Sequence, residues 1–321
     1  MRRWLRRQAK RQLFALHRLG TRLGVHVLPV HYYSPVPDLI QLERTRDVWA
    51  HRSQLPGVAV DLDAQVRNLE AICLPYQAEY AGNPAYTHAV EHEFGPGYGY
   101  VEAQALHGVV RSLKPRRVIE VGSGVSTWCL LHALAMNREE TGREFSLTCV
   151  EPHPSPRLRS LDGIRLLERE VQGLSYAEGF VGLGEGDLLF VDSSHTVKPG
   201  SDVDHLILEI LPRLPPGVVV HVHDVFLPFD YARNVLRTFF HWMETALLHA
   251  FLVGNERVEI VFCESMLHYD RPEALRRVFP EYRLAPDVDG LPRRVRRSRR
   301  RRRAAAPPAR AAGRPRVPEA P

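Results

Sequence analysis

Apolar positions recur at helical spacing through the first third of the chain and then gather into short solid blocks. In the opening segment MRRWLRRQAKRQLFALHRLG and just beyond it, Trp4, Leu5, Ala9, Leu13, Leu16 and Leu23 fall near one helical face, with arginines around the rest. A helix of this kind can dock its leucines on the body, the commoner use, or lie on an anionic membrane surface. The stretch PVHYYSPVP (29–37) holds too much proline for a regular element. Helical spacing returns over 38–50 (Leu39, Leu42, Val48, Trp49) and 61–80 (Leu62, Val66, Leu69, Ile72). EFGPGYGY (93–100) is a turn-rich loop, and 101–113 is another helix.

From residue 117 onward, strands alternate with helices. RVIEV (117–121) is a strand and 126–136 a helix; 147–150 is a second strand, with a helix or turn at 156–161. Strands follow at 164–168, 188–191 (LLFV), 218–222 and 258–262, with helices over 202–211 and 232–249 between the later ones. Nearly all-apolar strands separated by helices predict an α/β fold with a parallel sheet covered on both faces. Ligands of such sheets bind at the carboxyl ends of the strands.

The 321 residues can bury a substantial core, and 44% are hydrophobic and 25% charged, which excludes a wholly disordered chain. Cys73, Cys129, Cys149 and Cys263 are widely spaced, so isolated thiols are expected rather than a disulfide frame or a thiolate zinc site. No apolar run approaches the roughly 18 residues of a spanning helix. Charges recur through Arg22 where a signal-peptide core would stand, and the expected compartment is the cytoplasm. The net charge of +6 conceals a segregation. Residues 1–22 hold eight cations and no acid, and residues 293–321 hold twelve arginines against Glu319, which leaves −13 on the body between them. A basic composition therefore says nothing for nucleic-acid binding by the body. The tail from about Arg293 has almost nothing apolar to bury and should be disordered, though it can hold an anionic polymer. The expected organisation is a basic amphipathic helix (1–22), a helical cap (23–100), a catalytic domain (101–292) and the tail (293–321).

The sharpest local signal is VIEVGSGVST (118–127), a strand running into Gly122-x-Gly124 and a helix start, where free N–H groups and absent side chains let a ligand approach closely. A dinucleotide fingerprint would need glycine at 127, where Thr127 stands. Glu120, two residues ahead of Gly122, would repel a pyrophosphate but suits the cationic amino-acid end of S-adenosyl-L-methionine. Glu151 closes the second strand, where a carboxylate can accept from both ribose hydroxyls.

These motifs, with FVDSSH (190–195) and HVHDVFLPFD (221–230), resemble a class I S-adenosylmethionine-dependent methyltransferase over about 101–262. The similarity is greatest to small bacterial members with D-x-x-H after the fourth strand and H-D after the fifth. The resemblance implies a Rossmann-like, mostly parallel sheet of seven strands with a reversed last strand, and an N-terminal helical extension. It implies that Glu120, Gly122, Ser123 and Gly124 contact the methionine part and Glu151 the ribose, that Val171 and Gln172 lie by the adenine, and that Asp192 lies beside the cofactor.

Asp192, His195, His223 and Asp224 should then converge on the methyl group. Either His195 or His223 is a general base toward a substrate hydroxyl, or Asp192 and Asp224 hold a divalent cation such as magnesium or manganese with a histidine as third ligand. A third reading has the histidines merely tying loops. A histidine where magnesium-dependent relatives carry a further acid argues against magnesium. The expected activity is methylation, on oxygen, of a small molecule or glycan. Two rivals stand beside it: an RNA methyltransferase fed by the arginine tail, and a non-enzymatic scaffold tethered by its basic ends.

Overall fold

A computed structural model of the chain describes residues 2–95 and 97–283; the arginine-rich tail expected over 293–321 lies outside the described residues. The apolar blocks become β1 (Arg117–Val121), β2 (Ser146–Val150), β3 (Arg165–Leu167), β4 (Leu188–Val191) and β5 (Val219–Val222). All neighbours pair in parallel, in the order β3-β2-β1-β4-β5. The order reverses at β1, so the crevice opens where β1 and β4 end.

The two-residue pleat divides each apolar strand between two cores. Val118, Leu147, Leu188 and Phe190 meet Leu106, Val110, Leu130 and Leu134 from the helices Tyr100–Leu113 and Val125–Thr141. Ile119, Val121, Val150, Leu189 and Val191 meet Phe180, Leu206 and Ile210 on the opposite face. The expected helix over 202–211 is Asp202–Asp204, widening to π geometry at His205–Ile210 and tightening at Leu211–Arg213.

Residues 38–50 form two short helices, Leu39–Arg44 and Arg46–Trp49, and 61–80 form Leu62–Cys73 and Gln77–Tyr80 joined by a tight turn. Leu69, Cys73 and Tyr80 share a core with Leu267, Leu275 and Phe279 from the helices Glu264–Asp270 and Pro272–Val278. The segments before and after the sheet are thus packed as one layer. The helix Pro84–Glu91 lies against Val125–Thr141.

Three expectations need correction. Five strands, not seven, are present among the described residues, and none runs in reverse. The expected strand over 258–262 pairs with no described strand; its end is bonded instead to the helix Leu62–Cys73, where Asn68 donates to the Val261 carbonyl at 2.9 Å and the Cys263 N–H donates to Gln65 Oε1 at 2.9 Å. The helix expected over 232–249 begins only at Glu244 and runs to Leu252. Its start is fixed by the His195 carbonyl, which accepts from the Met243 and Glu244 N–H groups at 3.0 and 3.2 Å. No described helix is long and apolar enough to cross a membrane.

Gln65 is 1% exposed, so Gln65→Leu fills its space while leaving the Cys263 N–H without its acceptor. The expected loss is about 1–3 kcal/mol in urea unfolding; an unchanged midpoint would show that this bond does not replace a strand.

Candidate functional site

At the end of β1 the chain turns through Gly122. Its φ is +79°, and a Cβ there would stand 1.7 Å from the Asp192 carbonyl oxygen, so both the turn and the approach of β4 require glycine. The Asp192 N–H donates to the Val121 carbonyl at 2.8 Å, which binds the two strand ends together. Glu151 anchors the same turn: its carboxylate accepts from the Ser123 N–H at 3.2 Å and the His153 N–H at 2.7 Å. The Ser123 hydroxyl is buried there beside Glu120 and Cys149.

Glu120 does not face the crevice. It lies on the Val118 face of β1, is 0% exposed, and accepts from Ser126 Oγ (2.8 Å), Thr127 Oγ1 (2.6 Å) and Cys149 Sγ (3.3 Å). Burial pushes it up to about 7 against the pull of those donors. In this structure it pins the start of the helix Val125–Thr141 from beneath. The Gln172 amide donates to Glu170 at 3.0 Å, and Val171 is buried in the core with Leu189 and Val191.

At the ends of β4 and β5, the expected acids and histidines do come together. His195 Nε2 lies 3.2 Å from Asp192 Oδ1 and 3.5 Å from Asp224 Oδ2; His223 Nδ1 lies 3.2 and 3.6 Å from the same two oxygens. Asp192, His195 and His223 each offer a ligand atom within 4.8 Å of the others. The far nitrogen of each ring faces a further carboxylate: His195 Nδ1 stands 2.7 Å from Glu244 Oε2, and His223 Nε2 stands 3.4 Å from Glu102 Oε2. Such outer carboxylates orient the histidines of metal centres. Both nitrogens of His223 are shielded from water and, although carboxylates stand nearby, neither makes a well-aligned hydrogen bond.

The backbone is set for this convergence. His195 and Asp224 hold φ of 55° and 52°, left-handed conformations that side chains rarely adopt and that tertiary contacts must hold. Thr245 Oγ1 accepts from the Phe226 N–H at 3.2 Å and donates to the Asp224 carbonyl at 3.4 Å, while Ser194 donates to Asp202 through both its N–H and its hydroxyl. Trp242 packs 4.7 Å from the His195 ring, and Tyr98 4.9 Å from His223.

Burial alone would favour neutral imidazoles, but hydrogen bonds and charge from Asp192 and Glu244 raise His195 to about 9, and Asp192, Asp224 and Glu102 raise His223 as well. Burial likewise opposes the charge on Asp192, yet the two histidines hold it well below the usual carboxylate range. His221, one residue short of the end of β5, is pulled by burial down to about 3 and stacks on Phe190 at 4.4 Å, a neutral packing role.

The sequence reading missed Glu102, Glu244, Tyr98 and Trp242. Glu244 carried a faint signal as an acid on the first turn of an apolar helix; Glu102 stood just after the glycine-rich loop. Neither spacing ties them to the motifs.

Residues 119–225 match the model of a family described as a methyltransferase domain, a span that runs from β1 through Asp224. An uncharacterized protein of Archaeoglobus fulgidus is 26% identical over 157 residues, covering 46% of this chain and 67% of that protein. The matched domain supports a methyltransferase and falls on the strands that carry the site.

Because His195 is raised from about 6.5 to about 9 in the fold, its pairing contributes stability in full below pH 6.5 and loses it as pH rises through 9. In the metal-free protein, unfolding free energy should fall across that window, and Glu244→Gln should flatten the fall. A pH profile unaltered by the substitution would contradict the pairing.

Proposed function

We propose that the protein transfers the methyl group of S-adenosylmethionine to a hydroxyl of a small molecule or glycan, at a divalent-cation centre formed by Asp192, His195, His223 and Asp224. The reading rests on one observation: two imidazoles and two carboxylates converge at the ends of β4 and β5, with the Asp192 carbonyl pressed against the glycine turn.

The donor set fits a cation. Nitrogen from two histidines suits manganese, iron(II) or zinc better than magnesium, which prefers oxygen alone. Nδ1 of His223, which faces Asp192 and Asp224, is the nitrogen such an ion would engage, with Nε2 turned to Glu102. When bound, the ion would lower the pKa of an acceptor hydroxyl so that it reacts as an alkoxide near neutral pH. Both roles need a ring nitrogen free of its proton: Asp192 and Glu244 hold the His195 proton at neutral pH in the metal-free protein, so a cation would displace it on binding, whereas a general base would have to give it up unaided.

The chain's own residues supply position. The turn Gly122–Gly124 would carry the methionine part of the donor, and Glu151, which anchors that turn, would face the ribose. Glu120 steadies that turn without touching the donor. Glu244 and Glu102 keep His195 and His223 aimed at the shared oxygens. Trp242 flanks the centre and would offer a flat wall to an acceptor, while Tyr98, buried against Phe190, backs the His223 ring. In the transfer the S–CH3 bond breaks as the O–CH3 bond forms, the hydroxyl proton leaves to solvent, and S-adenosylhomocysteine remains. In-line placement of sulfur, carbon and oxygen carries most of the rate. A body of −13 would repel a polyanionic RNA, which favours a small acceptor.

Two titrations on the purified protein test this. Electron paramagnetic resonance should detect tight manganese binding that weakens by about 10–100-fold in Glu244→Gln and is lost in His223→Ala. Calorimetry should detect S-adenosylhomocysteine binding weakened at least about tenfold in Glu151→Ala. Absence of manganese binding would remove the metal centre; absence of S-adenosylhomocysteine binding would remove the methyl donor.

A further inference from the structure

The helix Arg2–Arg22 carries apolar and cationic residues that the body leaves exposed, leucines among them. Leu16, Leu19 and Leu23 are 50%, 54% and 73% exposed. Lys10, Arg11, Arg18 and Arg22 are exposed too, and the helix contains no acid. At 100° per residue, Ala9, Leu16 and Leu19, with Leu23 just past the helix end, fall in one sector and these four cations outside it, with Phe14, 63% exposed, as an aromatic among the cations. The more ordinary expectation, leucines docked on the body, is not what the structure displays.

What closes the helix is its own continuation. At Gly20 the absent side chain lets the chain fold back: a Cβ there would stand 2.7 Å from the Val25 carbonyl oxygen, and the Val25 N–H donates to the Gly20 carbonyl at 2.8 Å. Beyond that return, Val30, Tyr32 and Tyr33 are 80%, 91% and 83% exposed. Exposed leucines on one side, cations on the other and tyrosines next in the chain are more apolar surface than an unpartnered segment ordinarily leaves in water.

We infer that this helix and the loop after it lie on an anionic lipid surface. Leucines would enter the boundary of the acyl chains, lysine and arginine would meet anionic headgroups, and tyrosines would sit at the interface that suits an apolar ring with a polar tip. A nucleic acid would pair with the cations but leave the leucines in water. An anionic bilayer accommodates both sides of the helix at once.

Co-sedimentation of the full chain with phosphatidylcholine vesicles, with and without phosphatidylglycerol, tests the inference. The protein should bind the phosphatidylglycerol vesicles, release in high salt and show little affinity for phosphatidylcholine alone. Replacing Leu16, Leu19 and Leu23 together by serine keeps every charge, including those of residues 293–321. It should weaken binding at least about tenfold while the thermal unfolding of the body is unchanged. No binding to phosphatidylglycerol vesicles would overturn the inference. Equal binding by the triple-serine variant would overturn it too, by assigning the attraction to charge alone.

Discussion

Asp192 joins the two halves of the site. Its N–H donates to the carbonyl that ends β1, its own carbonyl fills the space that Gly122 leaves, and its carboxylate lies 3.2 Å from both His195 and His223. A single residue thus fixes the distance between the turn proposed for the methyl donor and the centre proposed for the acceptor. Methyl transfer tolerates little error in that distance, which gives a reason for so tight a junction. The left-handed backbone at His195 and Asp224 belongs to the same constraint: strain there lets two strand ends turn four side chains toward one point.

The surroundings are arranged to keep that point charged and oriented. Glu244 begins a helix whose first N–H groups are accepted by the His195 carbonyl, so the same helix end that holds the backbone of His195 also holds its ring. Glu102, from the first turn of Tyr100–Leu113, does the equivalent for His223 across the sheet edge. The layer formed by residues before and after the sheet therefore reaches into the site, although the matched domain spans only residues 119–225.

How much of this was legible in the sequence follows from how local each feature is. β1 and β4 appear at the expected residues because an apolar block bounded by charge or glycine leaves little choice of register. Asp192, His195, His223 and Asp224 were legible as a group because they terminate strands that are neighbours in the sheet. The orientation of Glu120 was also within reach: period-two alternation places it with Val118, under the helix whose Ser126 and Thr127 hydroxyls it accepts. Glu102 and Glu244 were not, since tertiary packing alone brings them to the histidines. The strand expected over 258–262 failed for a related reason. Its apolar residues fit a strand, but Gln65 and Asn68, nearly two hundred residues earlier, bond its end to a helix.

The most direct test is a crystal structure grown with S-adenosylhomocysteine and manganese, with the ion located by its anomalous scattering. The account predicts one manganese in contact with Asp192, His195 Nε2 and His223 Nδ1, and the sulfur of S-adenosylhomocysteine facing it from the turn at Gly122. A nucleoside bound elsewhere, or a manganese site that leaves both histidines paired only to their carboxylates, would contradict it.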